Sequence, residues 1–434
     1  MPFIYPVFFY DIMFINCSGA EIDERKDKLM IRRVKFMVSA LFLAGMVSAC
    51  GQEQETTDER SVESAFDKEQ EINEADEIPE EVPNAGTGTA QDSNAGTEEA
   101  FSVDKWSEQF GEYCISEQTF EVELSEYNGK VCFVPYRPSE DEEFHMQIVQ
   151  DRSIFTEIKG RVPDNLAGES FKSLDAVSFF DVNYDAYTDI VLIETYGDTS
   201  FAAIYYGFAA DGDEYERSFW FEERLSERIT EQTETLTIPA IRELLTGGRK
   251  NGTFTSYQEA YETVSRLLEL EGEENLTCNL IQVDDDGIPE LAAGVDGYYT
   301  DLYTYHGGTV YMLMDHWAYG AMGNAGYEYA PGKNSLRNYN SDYAGAIVYT
   351  TYMEISDRHT LDVTVQIETF NFDDVNENGV PDEDEMGSMG RYGISYIDGR
   401  EASAEECAAF DAGGYEPIPG DMSLQELRAE LQKG

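Results

Sequence analysis

Three segments of this chain put oxygen-bearing side chains at positions 1, 3, 5 and 9 of a loop, and that spacing restricts the fold more than any other feature. The first is Asp181-Val-Asn183-Tyr-Asp185-Ala-Tyr-Thr-Asp189, and the second is Gln282-Val-Asp284-Asp-Asp286-Gly-Ile-Pro-Glu290. The third, Asp374-Val-Asn376-Glu-Asn378-Gly-Val-Pro-Asp382, continues to Glu385 at position 12. Calcium takes six to eight hard oxygen ligands at about 2.3–2.6 Å from a chain that curls around it. Alternate side chains at 1, 3 and 5 point inward, a backbone carbonyl at 7 adds another oxygen, and glycine at 6 permits the sharp turn. The candidate ligands are therefore Asp181, Asn183, Asp185 and Asp189; Asp284, Asp286 and Glu290; and Asp374, Asn376, Asn378, the Val380 carbonyl, Asp382 and Glu385. The competing reading is that Asp and Asn only make Asx-turns between strands. Ala186 in place of glycine and Gln282 in place of a leading aspartate depart from the pattern, and Pro381 removes an N–H that a paired helix–loop–helix site would use.

The first two loops run into apolar segments, Asp189–Glu194 and Glu290–Ala293. Further β-like runs lie at Phe120–Val122, Gly129–Val134, Ala176–Phe180, Ala202–Tyr206, Asp301–Tyr305, Thr309–Met314, Ala346–Tyr352 and Leu361–Thr369. Helices are signalled by Thr237 with Pro239 ahead of Ile241, Leu244, Leu245 and a Gly247 stop, and by two capping-box patterns, Ser256-x-x-Glu259 and Ser423-x-x-Glu426. Hairpins punctuated by a few helices predict an α+β fold, mainly antiparallel β, in two lobes. A Gly-rich seam near residue 250 divides a β-rich lobe, 103–250, from an α+β lobe with the calcium loops, 251–434.

The 434 residues carry a formal net charge of −58, which excludes a nucleic-acid partner because no basic footprint exists. Residues 51–102 hold 16 acidic side chains and few large apolar ones, the composition of a disordered, self-repelling tether. Ahead of it, Arg32, Arg33 and Lys35 precede the apolar run Phe36–Met46 and then Val47-Ser48-Ala49-Cys50. This segment, within the signal region 1–50, reads as a secretion signal too short to span a bilayer. It resembles a bacterial lipoprotein signal whose lipobox ends at Cys50. That resemblance implies a diacylglyceryl-modified Cys50 and a protein held on the extracytoplasmic face of the cell membrane. An ordinary cleaved signal and a signal-anchor stay open. The odd stretch 1–29 is read as an early start, with Met30 the initiator.

The loop-then-hairpin pattern is similar to FG-GAP/VCBS-type calcium loops, and the third loop, with Glu385, is EF-hand-like. In style the chain also resembles surface lipoproteins of anaerobic Gram-positive bacteria. Those resemblances imply calcium as cofactor and a carbohydrate or protein ligand. No His-Glu-x-x-His, Gly-x-Ser-x-Gly or Walker pattern occurs. Of the four histidines, His306 and His316 are the pair considered for zinc, and a structural role is favoured. Cys114 and Cys132 sit at hairpin spacing, consistent with either a disulfide or buried thiols. The 12 tyrosines from Tyr298 to Tyr352 fit either a sugar-stacking face or β packing, with packing favoured. The expected function is a lipid-anchored, non-enzymatic binding or adhesion module. The alternatives are a hydrolase acting on cell-wall or dietary polysaccharide and an accessory subunit of an envelope complex.

Overall fold

The computed structural model describes residues 110–433 other than 126, 128, 151–152, 164–165, 209–217, 320–325, 377–378, 383–384, 386–392. The signal region, Cys50 and the acidic tether lie outside the described residues, as does Asn378. Among the described residues no helix is long and apolar enough to cross a membrane.

The first sheet is a meander of β1 (Phe120–Glu123), β2 (Lys130–Tyr136), β3 (His145–Gln150) and β4 (Ser153–Lys159). The second is another antiparallel meander, β5 (Phe171–Phe180), β6 (Asp189–Tyr196), β7 (Thr199–Phe208) and β8 (Ser218–Phe221). Three helices follow: α1 (Glu223–Gln232), α2 (Ile238–Thr246) and α3 (Tyr257–Glu271). The third sheet repeats the meander with β9 (Thr277–Ile281), β10 (Glu290–Val295), β11 (Tyr299–His306) and β12 (Thr309–Ala318). The fourth sheet is built from β13 (Tyr327–Ala330), β14 (Ser335–Asp342), β15 (Ile347–Ile355), β16 (Leu361–Phe370), β17 (Ile394–Ile397), β18 (Arg400–Ala402) and β19 (Glu416–Pro417). Helices α4 (Ala404–Ala408) and α5 (Leu424–Leu431) complete the described chain. The expected mainly antiparallel α+β architecture is observed.

The layers follow from strand alternation. In β6, Ile190 and Leu192 face the first sheet and meet Val131, Phe133, Met146 and Ile148. Val191 and Ile193 face the other way, onto Leu225 and Ile229 of α1, Ile241 and Leu245 of α2, and Val264 and Leu267 of α3. Both faces are covered, so β6 reads as a continuous apolar run rather than an alternating one. Leu291, Ala293, Tyr303 and Tyr305 of the third sheet join the same helical layer from the other side, together with Leu427 and Leu431. The opposite face of that sheet, with Ala292, Leu302 and Met314, packs on Tyr327, Leu336 and Met353 of the fourth. The order is therefore sheet, sheet, helices, sheet, sheet, and one apolar cluster runs continuously across the seam at residue 250. Each leucine fully buried in it contributes roughly 2 kcal/mol.

Helix ends agree with their chemistry. Thr237 accepts the Ala240 N–H and Gly247 closes α2 in a left-handed conformation. The Ser423–Glu426 pair forms a complete capping box. At α3 only half of the box forms, because the Glu259 carboxylate takes the Thr255 N–H and pairs with Arg249 at 2.6 Å instead of reaching back to Ser256.

The four cysteines from Cys114 onward are free thiols. Burial pushes Cys132 and Cys278 up to about 12. Tyr303, Tyr305, Tyr319, Tyr327, Tyr329 and Tyr352 are buried, and Tyr298 and Tyr343 are exposed, so packing accounts for most of the tyrosine-rich stretch.

Candidate metal centre

Each loop connects neighbouring antiparallel strands of a different sheet. Loop 1 (181–189) joins β5 to β6, where Phe180 pairs with Asp189. Loop 2 (282–290) joins β9 to β10, where Ile281 pairs with Glu290. Loop 3 (374–385) lies between β16 and β17, whose ends pair Phe370 with Ile394.

Loops 1 and 2 share two Asx bonds at equivalent positions. The position-5 N–H of Asp185 donates to Asn183 Oδ1 at 3.4 Å, and that of Asp286 donates to Asp284 Oδ1 at 3.0 Å. The position-7 N–H of Tyr187 donates to Asp185 Oδ1 at 2.8 Å, and that of Ile288 to Asp286 Oδ1 at 2.7 Å. Asx-turns are therefore present, and in loop 1 the second Asp185 oxygen accepts the Asn183 amide at 2.9 Å. Position 6 is left-handed in all three loops, with φ of 68° at Ala186, 82° at Gly287 and 72° at Gly379. That conformation costs a residue with a Cβ about 1–2 kcal/mol. Ala186→Gly is therefore expected to stabilise the protein by about 1 kcal/mol after the added freedom of the unfolded chain, read as a higher urea midpoint at unchanged slope.

A buried carboxylate clasps the position-2 N–H of every loop. Asp189 Oδ2 takes the Val182 N–H at 2.5 Å, Glu290 Oε2 takes Val283 at 2.9 Å, and Glu385 Oε1 takes Val375 at 2.8 Å. Asp189 also accepts the Gly207 N–H at 2.8 Å, and Glu290 accepts the Thr304 hydroxyl at 3.2 Å. Position 9 of loops 1 and 2 thus closes the loop onto its sheet, a task that position 12 performs in loop 3. There Asp382 accepts the Glu385 N–H at 3.1 Å, and Asp374 accepts the Gly379 N–H at 3.0 Å.

The loops differ in burial. In loop 3, Asn376, Val380 and Asp382 are exposed, and in loop 2 Asp286 is exposed. In loop 1, Asn183 and Asp189 are buried and Asp181 and Asp185 are half-buried. Burial pushes Asp181 up to about 6, against hydrogen bonds from Tyr184 and Asn251. Asp185 is held well above the carboxylate range by burial, then by the charges of Asp181 and Asp315. Asp189 is raised by burial, then by Asp185 and Asp181. In loop 2, burial raises Asp284 and pushes Glu290 up to about 7.

Two contributors to the loop 1 cluster were not legible as such. Asn251, read as part of a loop seam, bonds Asp181 and also pairs with the Val310 backbone through two 2.9 Å bonds. Asp315 comes from β12, whose Met312 N–H donates to the Tyr184 carbonyl at 2.9 Å. Loop 1 therefore sits where the second and third sheets meet. Loop 2 rests on the β13–β14 turn through Gly332 and Asn334. The considered His306–His316 pair is not formed. His306, opposite Thr309, occupies one end of the β11–β12 hairpin and stacks on His359 at 4.2 Å, whereas His316 lies at the other end.

A separate cavity of about 340 Å³ opens between the first two sheets, with Glu140, Asp141, Glu142, Glu143 and Glu169 around it and Phe144, Phe171 and Tyr196 at its base. Phe144 stacks on Phe171 at 4.8 Å and Tyr196 meets Phe171 edge-on. The Tyr196 hydroxyl donates to Glu194 Oε2 at 2.7 Å, and burial pushes Glu194 up to about 7.

No known protein-family profile matches the chain, and no curated protein matches it significantly.

Proposed function

We propose that this chain is a lipid-anchored, extracytoplasmic surface protein whose β-rich fold is stabilised by calcium, and that it works as a non-enzymatic binding or adhesion module. One observation carries the calcium reading: the charges acting on half-buried Asp185 and buried Asp189 are those of other carboxylates. A divalent cation among Asp181, Asn183, Asp185 and the Tyr187 carbonyl would replace that repulsion with hard oxygen coordination. Loop 1 is thus the leading site, ahead of the more exposed loops 2 and 3.

The lipobox at Cys50 and the acidic tether support anchoring at a distance from the membrane. The acidic rim and aromatic base of the 340 Å³ cavity favour a basic protein segment as ligand. Four of its carboxylates are consecutive in sequence, Glu140 to Glu143, and Glu169 adds a fifth.

Calorimetric titration of chelator-treated full-length chain with CaCl2 tests the metal part. Asp185→Asn is expected to remove the tightest site, and Asp382→Asn to leave it intact. A titration without heat, or one that Asp185→Asn leaves unchanged, rejects calcium at loop 1.

A further inference from the structure

We propose that Asp301, Asp315 and His316 form a second metal site, for a divalent first-row transition cation, built from side chains other than the proposed calcium ligands of the loops. The site is made by an irregularity in the β11–β12 ladder. Thr300 pairs with Trp317 and Leu302 with Met314, so Asp315 and His316 together oppose Asp301. Such a bulge re-aims side chains that regular alternation would send to opposite faces. His316 adopts a left-handed φ of 47°, and its backbone N–H donates to Asp301 Oδ1. Its imidazole consequently folds back over the aspartates, with the Tyr299 ring stacked on it at 4.1 Å.

The three side chains converge. His316 Nδ1 lies 2.9 Å from Asp301 Oδ1 and 3.2 Å from Asp315 Oδ1. Ligand atoms of the whole group fall within 4.8 Å of one another. Zinc-class ions hold nitrogen and oxygen at about 2.0–2.2 Å, so adjacent ligands stand about 3.0 Å apart at a right angle and about 3.4 Å apart in a tetrahedron. The two separations from His316 Nδ1, 2.9 and 3.2 Å, lie near those edges. A single Nδ1 proton can be given to one carboxylate, whereas a metal ion satisfies both and offsets both charges. The field of Asp315 also falls on Asp185, a further carboxylate.

Burial gives the site a closed side and an open side. Asp301 and His316 are 0% and 5% exposed, and Asp315 is 47% exposed, which leaves room for water in the remaining coordination positions. Two carboxylates with one imidazole favour a zinc- or manganese-like ion, because calcium takes oxygen donors almost alone.

The test is a zinc titration of chelator-treated full-length chain in excess CaCl2, with Co2+ as the spectroscopic probe. One site is expected that weakens at least about tenfold in Asp315→Asn and in His316→Asn and is unchanged in His306→Asn. Asparagine keeps the left-handed backbone at 316 but loses the ring stacked on Tyr299, so metal-free melts of both variants are recorded first to show that each is folded at the titration temperature. Visible Co2+ bands, with an imidazole ligand in the X-ray absorption spectrum, should appear in the parent chain and vanish in both variants. Zinc binding that is undetectable, or that survives both substitutions, overturns the site and leaves the trio as a hydrogen-bonded bracket of the bulge.

Discussion

Calcium-free protein is expected to melt at a higher temperature near pH 5 than near pH 8, and calcium is expected to narrow that difference by raising the melt near pH 8. In the folded chain Asp181 is pushed up to about 6, and Glu194 and Glu290 up to about 7, above the ordinary 3.8 and 4.5. A carboxyl raised in this way binds its proton more tightly folded than unfolded. Its contribution to stability is fully present below the unfolded value, near pH 4, and is lost as pH rises through 6 to 7. A shift of about 2 units corresponds to roughly 3 kcal/mol. Calcium at a concentration about a hundredfold over its Kd returns about 2.7 kcal/mol per site, or roughly 5 °C in Tm for a chain of this size. Glu194 belongs to no loop, so its share of the pH dependence should persist with calcium. Melts from about pH 5 to 8, with EDTA or with CaCl2, check the whole scheme. A calcium-free Tm that rises with pH over that window, or a Tm near pH 8 indifferent to calcium, would sink it.

Two neighbouring aspartates should give opposite results when replaced by alanine. Asp189 is fully buried and accepts the Val182 and Gly207 N–H groups. Asp189→Ala leaves two buried donors without acceptors, at about 1–3 kcal/mol each, and should destabilise the protein by roughly 4 kcal/mol with or without calcium. Asp185 accepts one backbone N–H and the Asn183 amide, and its charge is opposed by Asp181 and Asp315. Asp185→Ala should abolish calcium binding at loop 1 while raising the calcium-free Tm near pH 8, because it removes a carboxylate whose ionisation burial and neighbouring charge oppose. Urea unfolding of both variants, with and without calcium, separates the clasp from the cation cluster. Equal losses for the two in EDTA would show that the roles assigned here are wrong.

The loops were legible because their information is local. Alternating oxygen side chains, a left-handed position 6 and a following apolar run fix the turn and the strand that leaves it, whatever surrounds them. The ends of α2 and α5 were legible for the same reason, since Thr237, Gly247 and the Ser423–Glu426 box act within one helical turn. Less was visible where polar residues interrupt the pattern. Strand β3 interleaves His and Gln with its apolar residues, and strand β4 and helix α1 carry interleaved charges, with Leu225 and Ile229 the only large apolar side chains buried in α1. The capping box of α4, Ser403 with Glu406, is a local signal that could have located that helix.

The sequence by itself determined the acidic character, the lipobox-like segment and three loops with cation-binding spacing. Only the tertiary structure decided which loop concentrates charge. Burial depends on what packs above a loop, and loop 1 is covered by Asn251, about 70 residues after its partner Asp181, and by β12, further along the chain still. The convergence of Asp301, Asp315 and His316 was likewise invisible, because a one-residue bulge, set by the pairing of two strands, turns alternating side chains onto a single point.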